Sequence, residues 1–294
     1  MNTIKNLETP LAISTSLKDI DIDFDRRFGG IARLYGDAAL QRFQAARVCV
    51  VGVGGVGSWV VEALARSAIG HLTLIDLDNV AESNVNRQIQ ALSATLGQAK
   101  VAALAQRIEQ INPYCCVTEV EDFVTPDNLE AMIGIHDFDY VIDAIDNVRA
   151  KAALIAYCRA HAIAIITIGS AGGQIDPTKI EVRDLSRTEQ EPLLSKVRKL
   201  LRSQHGFPRG TKNKFHIDAV FSTEPLRFPA NNEICALEAD MSAGSAGITG
   251  LNCAGFGSAM VVTASFGLVA TAQVLRKLAA AEQPVTTSAA VAVA

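Results

Sequence analysis

Between Arg47 and Gly70 the chain reads RVCVVGVGGVGSWVVEALARSAIG, and this segment restricts the fold more than any other. Arg47 to Val51 is a short β-rich run. After the glycines, apolar residues recur at helical spacing until Gly70. The segment therefore reads as strand, tight turn and helix, with Gly52, Gly54 and Gly57 forming G-x-G-x-x-G at the helix head. Without side chains there, a phosphate or sugar can approach backbone N–H groups at the positive end of a helix, worth about half a unit charge. The same glycines also let helix and strand pack closely, so the motif alone does not establish nucleotide binding.

The pattern repeats downstream. HLTLID (71–76) reads as a second strand, GQAKVAALAQRIEQINP (97–113) as a helix stopped at Asn112-Pro113, and CCVTEVED as a third strand. A short helix is expected to open at Thr125-Pro126-Asp127. DYVIDAID (139–146) is a fourth strand, NVRAKAALIAYCRAH a helix and AIAIITIGS a fifth strand. Strands alternating with helices imply an α/β fold with a doubly wound, mostly parallel, Rossmann-like sheet. Beyond about Gly173 the alternation stops. DPTKIEVRDLS predicts a strand, 191–205 a charged helix and KFHIDAVFSTEPLRF one or two more strands, together a C-terminal elaboration on the substrate side. Of the 294 residues, 1–23 and 281–294 are expected to be flexible tails. Residues 24–280 form one domain, with a nucleotide-binding half over 24–173 and a substrate-side half over 174–280.

Composition narrows the function. A net charge of −4 argues against coating nucleic acid by bulk charge, although it leaves local basic patches open. The six cysteines are scattered, and the first residues carry charges rather than an apolar signal core, so a reducing cytoplasm is expected. The 17 residues of AMVVTASFGLVATAQVL (259–275) are mostly apolar and uncharged. They fall short of the roughly 20 that a membrane span needs, so a buried core helix is the preferred reading over membrane association.

Asp76 ends the second strand 19 residues after Gly57, where it can accept hydrogen bonds from ribose hydroxyls. To this point an NAD-dependent dehydrogenase fits equally well. The residues that follow depart from one: Asp78, then Asn84, Arg87 and Gln88, then Lys100 at a helix start, then Asp143, Asp146 and Asn147 after the fourth strand. In an open α/β sheet all of these lie at the carboxyl ends of strands, where ligands bind. Arg87 and Lys100 supply fixed positive charge, and Asp146 is a carboxylate able to hold Mg²⁺, a set suited to a polyphosphate under attack. Taken singly, Arg87 reads equally as a surface ion-pair partner, Lys100 as a solvated helix residue and Asp146 as the N-cap of the next helix.

Quoted as they stand, RVCVVGVGGVGSWVVEALARSAIGHLTLIDLDNVAESNVNRQ, GQAKV and DAIDN resemble the adenylation domain of the ubiquitin-activating-enzyme-like superfamily, which includes the molybdopterin-synthase and thiamine-biosynthesis adenylyltransferases. The resemblance spans roughly residues 24 to 280. It implies ATP and Mg²⁺ as cofactors and adenylation of a carboxylate. Gly52, Gly54, Gly55 and Gly57 would line the nucleotide and Asp76 would hold the ribose. Asn84, Arg87 and Lys100 would contact phosphates, Asp78, Gln88, Asp143 and Asn147 would complete the pocket, and Asp146 would hold the metal. Further segments, among them RRFGGIARLYG (26–36), GSAGGQIDPTKI and NCAGFGSAMVVTASFG, resemble the tRNA-modifying dehydratase branch. That branch uses ATP to cyclise the threonylcarbamoyl group on the adenosine beside the anticodon. The chain has no CxxC pair, so no zinc is expected. Where relatives carry the second Arg of an R-x-x-R-Q motif that reaches the partner's ATP, this chain has Gly30, and Arg33 is the substitute arginine finger of an expected homodimer. Because relatives use a downstream cysteine, Cys235 and Cys253 are candidates for a thiol role with a cysteine-desulfurase or sulfur-acceptor partner. A buried, inert thiol is the competing reading.

One stretch supplies charge for tRNA. Lys196, Arg198, Lys199, Arg202, Arg209, Lys212 and Lys214 are seven cations with no carboxylate between Pro192 and Ile217. Solvated faces generally mix signs, so a run of one sign points to phosphate binding. The expected activity is ATP-dependent ring closure on tRNA. An adenylyltransferase for the C-terminal Gly-Gly of a sulfur carrier, or an NAD-binding oxidoreductase, are the competing readings.

Overall fold

A computed structural model describes residues 23–210, 213–228 and 256–281. All but Asp23 and Ala281 of the expected tails 1–23 and 281–294, together with Lys212, Cys235 and Cys253, lie outside the described residues. Two helices, α1 (Phe24–Tyr35) and α2 (Asp37–Ala45), lead into β1 (Arg47–Val51), α3 (Gly57–Arg66) and β2 (His71–Ile75). Next come α4 (Lys100–Ile111), β3 (Cys116–Val120), β4 (Tyr140–Asp143), α5 (Val148–Ala160) and β5 (Ile165–Ile168). The chain then forms β6 (Ile180–Asp184), α6 (Pro192–Gln204), β7 (Asp218–Ser222) and α7 (Met260–Ala280).

The seven strands form one sheet in the order β3-β2-β1-β4-β5-β7-β6, parallel except for β6, which runs antiparallel to β7. Residues 48–51 of β1 and all of β4 and β5 are buried, as expected of strands covered by helices on both faces. The register pairs Val51 with Ile75 on one side and with Asp143 on the other. The loops after β1, β2 and β4 therefore start level with one another, at the point where the strand order reverses and a crevice opens.

Two apolar layers cover the sheet. Phe43 of α2, Leu64 of α3, Leu104 and Ile108 of α4 and Phe266 of α7 meet on one face. Leu154 of α5 and Leu194, Val197 and Leu201 of α6 meet on the other, with Phe207 and Phe215. Local chemistry sets the helix ends. The Asn147 side chain accepts from the N–H groups of Arg149 and Ala150, both at 3.0 Å, and opens α5. Glu191 accepts from Leu193 and Leu194 and opens α6, whose first residue is Pro192.

Two expectations change and a third is narrowed. The sheet does not stop at β5: β7 joins it in parallel and β6 completes the edge, so residues 180–222 extend the sheet rather than only elaborating its substrate side. Ala219, Val220 and Phe221 are apolar on consecutive positions and fully buried, which suits an interior strand. Only one strand forms from KFHIDAVFSTEPLRF, and it closes before Pro225, which has no N–H for a ladder. The helix expected at Thr125 begins later, as a five-residue turn over Glu130–Gly134, because the Thr125 N–H is held at 2.8 Å by Asn128 Oδ1.

The apolar run is the core of α7. By length and composition this helix is able to cross a membrane, yet its buried side, including Val262, Phe266, Ala270 and Val274, packs on α2 and α3. Arg42 of α2 donates from Nε to Leu278 O at 3.2 Å, and its guanidinium also reaches Ala279 O, closing the helix end. Gly267 sets the approach to α3. A Cβ there would sit 2.8 Å from Val56 O and 3.0 Å from Trp59 Cβ. Gly267→Ala is therefore expected to cost about 1–3 kcal/mol. At roughly 2–4 °C per kcal/mol for a domain of this size, a calorimetric scan checks it as a fall of several degrees in Tm.

Candidate active site

The glycine turn contains glycines of different purpose. Gly52 has φ +84°, and a Cβ there would meet Ala144 O at 2.9 Å, so the backbone demands glycine. At Gly57 a Cβ would lie 1.8 Å from Gly52 O, which makes this residue the contact that folds the turn onto α3. Gly55 makes room for the aliphatic stem of Arg87. Gly54 faces open space, with Gln88 Nε2 its nearest neighbour at 3.9 Å, and it is here that a ligand can approach the backbone.

Around the turn, carboxylates organise backbone. Asp76 Oδ2 accepts from Val53 N at 2.8 Å and Oδ1 from Asp78 N at 2.9 Å, tying the loops after β1 and β2 together. Burial raises the Asp76 pKa against the opposing pull of Lys100 and these two N–H groups. Lys100 is no solvated helix residue. Its side chain is 6% exposed, 2.7 Å from Asp78 Oδ2 and 3.9 Å from Asp76 Oδ1, and its N–H donates to Asp78 O at 3.0 Å.

Arg87 is not a surface ion-pair partner either. Its Nη1 donates to Ser83 O at 2.7 Å and Asn86 Oδ1 at 3.0 Å, and no described carboxylate lies within ion-pair distance. Its Nε is buried without a hydrogen-bond partner, and burial lowers the guanidinium pKa. A buried donor left over is costly, and an anion supplied from outside would satisfy it. The Trp59 indole fixes the backbone by donating to Arg87 O at 2.9 Å. Asn84 and Gln88 are loop fixers in this structure: Asn84 Oδ1 accepts from Ala81 N at 3.0 Å, and Gln88 Oε1 accepts from Gln90 Nε2 at 3.1 Å.

The two aspartates after Ile142 have opposite fates. Asp146 is solvent-accessible and does not cap α5, because Asn147 does. Beyond its own backbone N–H its carboxylate is uncommitted at the crevice, and desolvation by the surrounding walls, reinforced by the Asp78 charge, raises its pKa while that N–H, Lys151 and Lys100 oppose. Asp143, expected in the pocket lining, lies beneath it instead. It is fully buried, and Lys151, Thr167 and Ile145 N occupy its carboxylate. Asn147 likewise spends its side chain on the helix cap.

Arg33 is exposed on α1, folded back over Gly29 and Gly30, and makes no hydrogen bond or ion pair to a described cleft residue. Arg27 instead donates to Ile111 O at 3.0 Å and docks α1 on the end of α4. A hollow of about 670 Å³ lies beside this contact, lined by residues of α1 and α4 and by Gln90, and Asp146 is not among its lining residues.

The basic run forms a second surface. Arg198, Lys199, Arg202 and Arg209 line a concavity of about 430 Å³ with Ser195 and Ser203. Arg202 sits 5.1 Å over the Phe215 ring, and Arg159 of α5, outside the 192–217 run, sits 4.1 Å over Phe207. Lys196, Lys199, Arg209 and Lys214 are exposed. None of the described cations of this run lies within ion-pair distance of a described carboxylate. Sequence reasoning also passed over Lys151 and Thr167, both fully buried, and Trp59. For Lys151 the signal was present, a lone lysine among the apolar residues of AKAALIA.

Comparison with known proteins identifies relatives over most of the chain. The chain is 54% identical over 257 residues to the tRNA threonylcarbamoyladenosine dehydratase of Escherichia coli strain K12, covering 87% of this chain and 94% of that protein. It is 51% identical over 257 residues to the dehydratase of the same name from Haemophilus influenzae, with the same coverage of each chain. The crystal structure of the E. coli tRNA N6-threonylcarbamoyladenosine dehydratase in complex with ATP superposes with a TM-score of 0.76 at 51% identity, covering 86% of this chain and 94% of that one. The profile of the ThiF family matches residues 26–292, and the chain belongs to that family.

Proposed function

We propose that the protein is an ATP-dependent dehydratase acting on tRNA, which cyclises the threonylcarbamoyl group of N6-threonylcarbamoyladenosine beside the anticodon. The observation that carries this reading is the pairing, at one crevice, of an uncompensated Arg87 guanidinium with an uncommitted Asp146 carboxylate. It is supported by identity above 50% to dehydratases over nearly their whole length. An NAD-dependent oxidoreductase would tolerate Asp146→Ala and leaves Arg87 and Lys100 unexplained.

ATP is a substrate here, and the crevice is built to hold it. Backbone N–H groups around Gly54 at the head of α3 face the phosphates, while Asp76, with lone pairs beyond its two N–H bonds, accepts from the ribose. Among the described residues no group of three potential metal ligands exists. Mg²⁺ fits nonetheless, because it is commonly bound through one or two carboxylates together with substrate phosphates and water. Asp146 offers a hard, uncommitted oxygen donor of that kind. Mg²⁺ held there would neutralise charge on the phosphate oxygens and orient them.

The threonyl carboxylate of the tRNA substrate attacks the α-phosphorus, the bond to the bridging oxygen breaks and pyrophosphate leaves. Arg87 and Lys100 hold the charge that develops on the phosphate oxygens. The acyl-adenylate formed is an electrophile, and a urea atom of the same threonylcarbamoyl group attacks its carbonyl carbon, closing the ring and expelling AMP. That step is intramolecular and gains from effective molarity, so it requires no enzyme nucleophile. We assign tRNA phosphates to the concavity on α6, and the site of action to the cytoplasm, where tRNA is found. A homodimer that brings Arg33 to its partner's ATP is part of the same reading, as is a sulfur-transfer partner for Cys235 or Cys253. The absence of CxxC pairs weighs against a sulfur-carrier adenylyltransferase.

Asp146→Ala is expected to lose about a hundredfold or more in rate, equivalent to roughly 3–4 kcal/mol of transition-state stabilisation. Mass spectrometry of nucleosides from tRNA incubated with ATP and Mg²⁺ reads this directly, and a wild-type protein that leaves the modified adenosine uncyclised sinks the assignment. Reversing the exposed Lys196, Lys199 and Arg209 to Glu should weaken tRNA binding and make log K fall less steeply with log salt, while ATP affinity stays unchanged. Filter binding across a salt series tests it, and unaltered tRNA affinity refutes the surface.

A further inference from the structure

Below the crevice, three polar side chains without any solvent exposure close on one another: Asp143 at the end of β4, Lys151 on α5 and Thr167 in β5. Lys151 Nζ lies 2.8 Å from Asp143 Oδ1 and donates to the Asp143 carbonyl at 3.2 Å and to Thr167 Oγ1 at 3.1 Å. Its three protons thus meet three acceptors. The Thr167 hydroxyl donates to Asp143 Oδ2 at 2.7 Å, and the Ile145 N–H donates to Asp143 Oδ1 at 3.1 Å. The ring is closed and leaves nothing with which to bind a ligand.

Stability alone gives little reason for such a group, since a buried ion pair often contributes no more than apolar residues of the same volume. Its placement gives a better one. The bonds to Asp143 O and from Ile145 N fix the last residue of β4 and the start of the turn that carries Asp146. The other end of that turn is fixed by the Asn147 cap and by the Lys151 N–H, which donates to Asn147 O at 2.9 Å. Lys151 therefore clamps both ends of a short turn whose one uncommitted carboxylate is Asp146. Its ammonium also favours the ionised form of Asp146.

We infer that Lys151, Asp143 and Thr167 are positioning residues that hold the Asp146 carboxylate at the divalent cation and the ATP phosphates. The inference rests on the metal-holding role of Asp146 proposed above. Groups that orient a ligand in this way typically change metal affinity 10- to 100-fold when altered.

The full-length protein is tested by titration calorimetry with ATP, in EDTA and across a MgCl₂ series, alongside turnover of tRNA. Thr167→Val keeps the ion pair and the side-chain volume while removing the hydroxyl. It should leave ATP affinity in EDTA within about twofold of wild type, raise the half-saturating Mg²⁺ about tenfold, and be rescued by Thr167→Ser. The double variant Lys151→Met with Asp143→Leu replaces the pair by apolar volume and should show the same increase in Mg²⁺ demand when folded. If it does not fold, the Thr167 pair decides. A folded Thr167→Val with wild-type Mg²⁺ demand overturns the inference. So does an equal loss of ATP affinity in EDTA, which would make the ring a support of the whole nucleotide site. Asp146→Asn is the control: unchanged Mg²⁺ demand there removes the metal role itself, and the inference with it.

Discussion

A carbonyl oxygen belonging to Gly52 comes so close to the Cα of Gly57 that any side chain there would occupy the same space. That contact folds the loop after β1 back on itself and starts α3 at the rim of the sheet. It also aims the first turn of the helix at the space beside Gly54. The neighbouring loops reach the same place because β1 pairs with β2 and β4 in a register that brings Ile75 and Asp143 level with Val51. Asp76 then bonds across to Val53, which makes the loops after β1 and β2 one piece. Further out, α7 presses on the same helix at Val56 and Trp59, and Trp59 holds the backbone of Arg87.

Charge is distributed by a simple division. Where a charged group is fully buried it is matched, as Lys151 is by Asp143 and as the half-exposed Arg107 matches the buried Glu62 at 2.6 Å. At Arg87 in the crevice and along the α6 surface, by contrast, cations are left short of described partners, and their counter-charges must come from outside. An unmatched buried donor or charge costs several times what a matched one contributes, so leaving Arg87 Nε unsatisfied marks the crevice as a place made to be filled.

Much of this was legible in the sequence because it depends on short-range pattern. The glycine turn, the strand–helix alternation up to β5 and the Asn112-Pro113 stop all follow from residues within one turn or strand of each other. Other features depend on distant contacts. ASP–ALA–ILE–ASP offers two carboxylates three residues apart with equal claims on the pocket, and only the packing of Lys151 and Thr167 draws Asp143 inward and leaves Asp146 out. Likewise, Asp146 and Asn147 are equally good caps by type, and backbone geometry chooses Asn147. The strands β6 and β7 are legible as strands, but their place in the sheet is not, because α6 separates them in sequence and the pairing of β7 with β5 is a long-range contact.

The packing of α7 against α3 carries a consequence for how the chain is made. Val60 and Met260 are 200 residues apart, so at 5–20 residues per second the ribosome needs roughly 10–40 s to deliver the helix after its partner surface has emerged. Throughout that interval the apolar sides of α2 and α3 lack their cover, and the glycine turn lacks the buttress at Val56. The nucleotide crevice therefore reaches its final packing only once α7 has closed on α2 and α3.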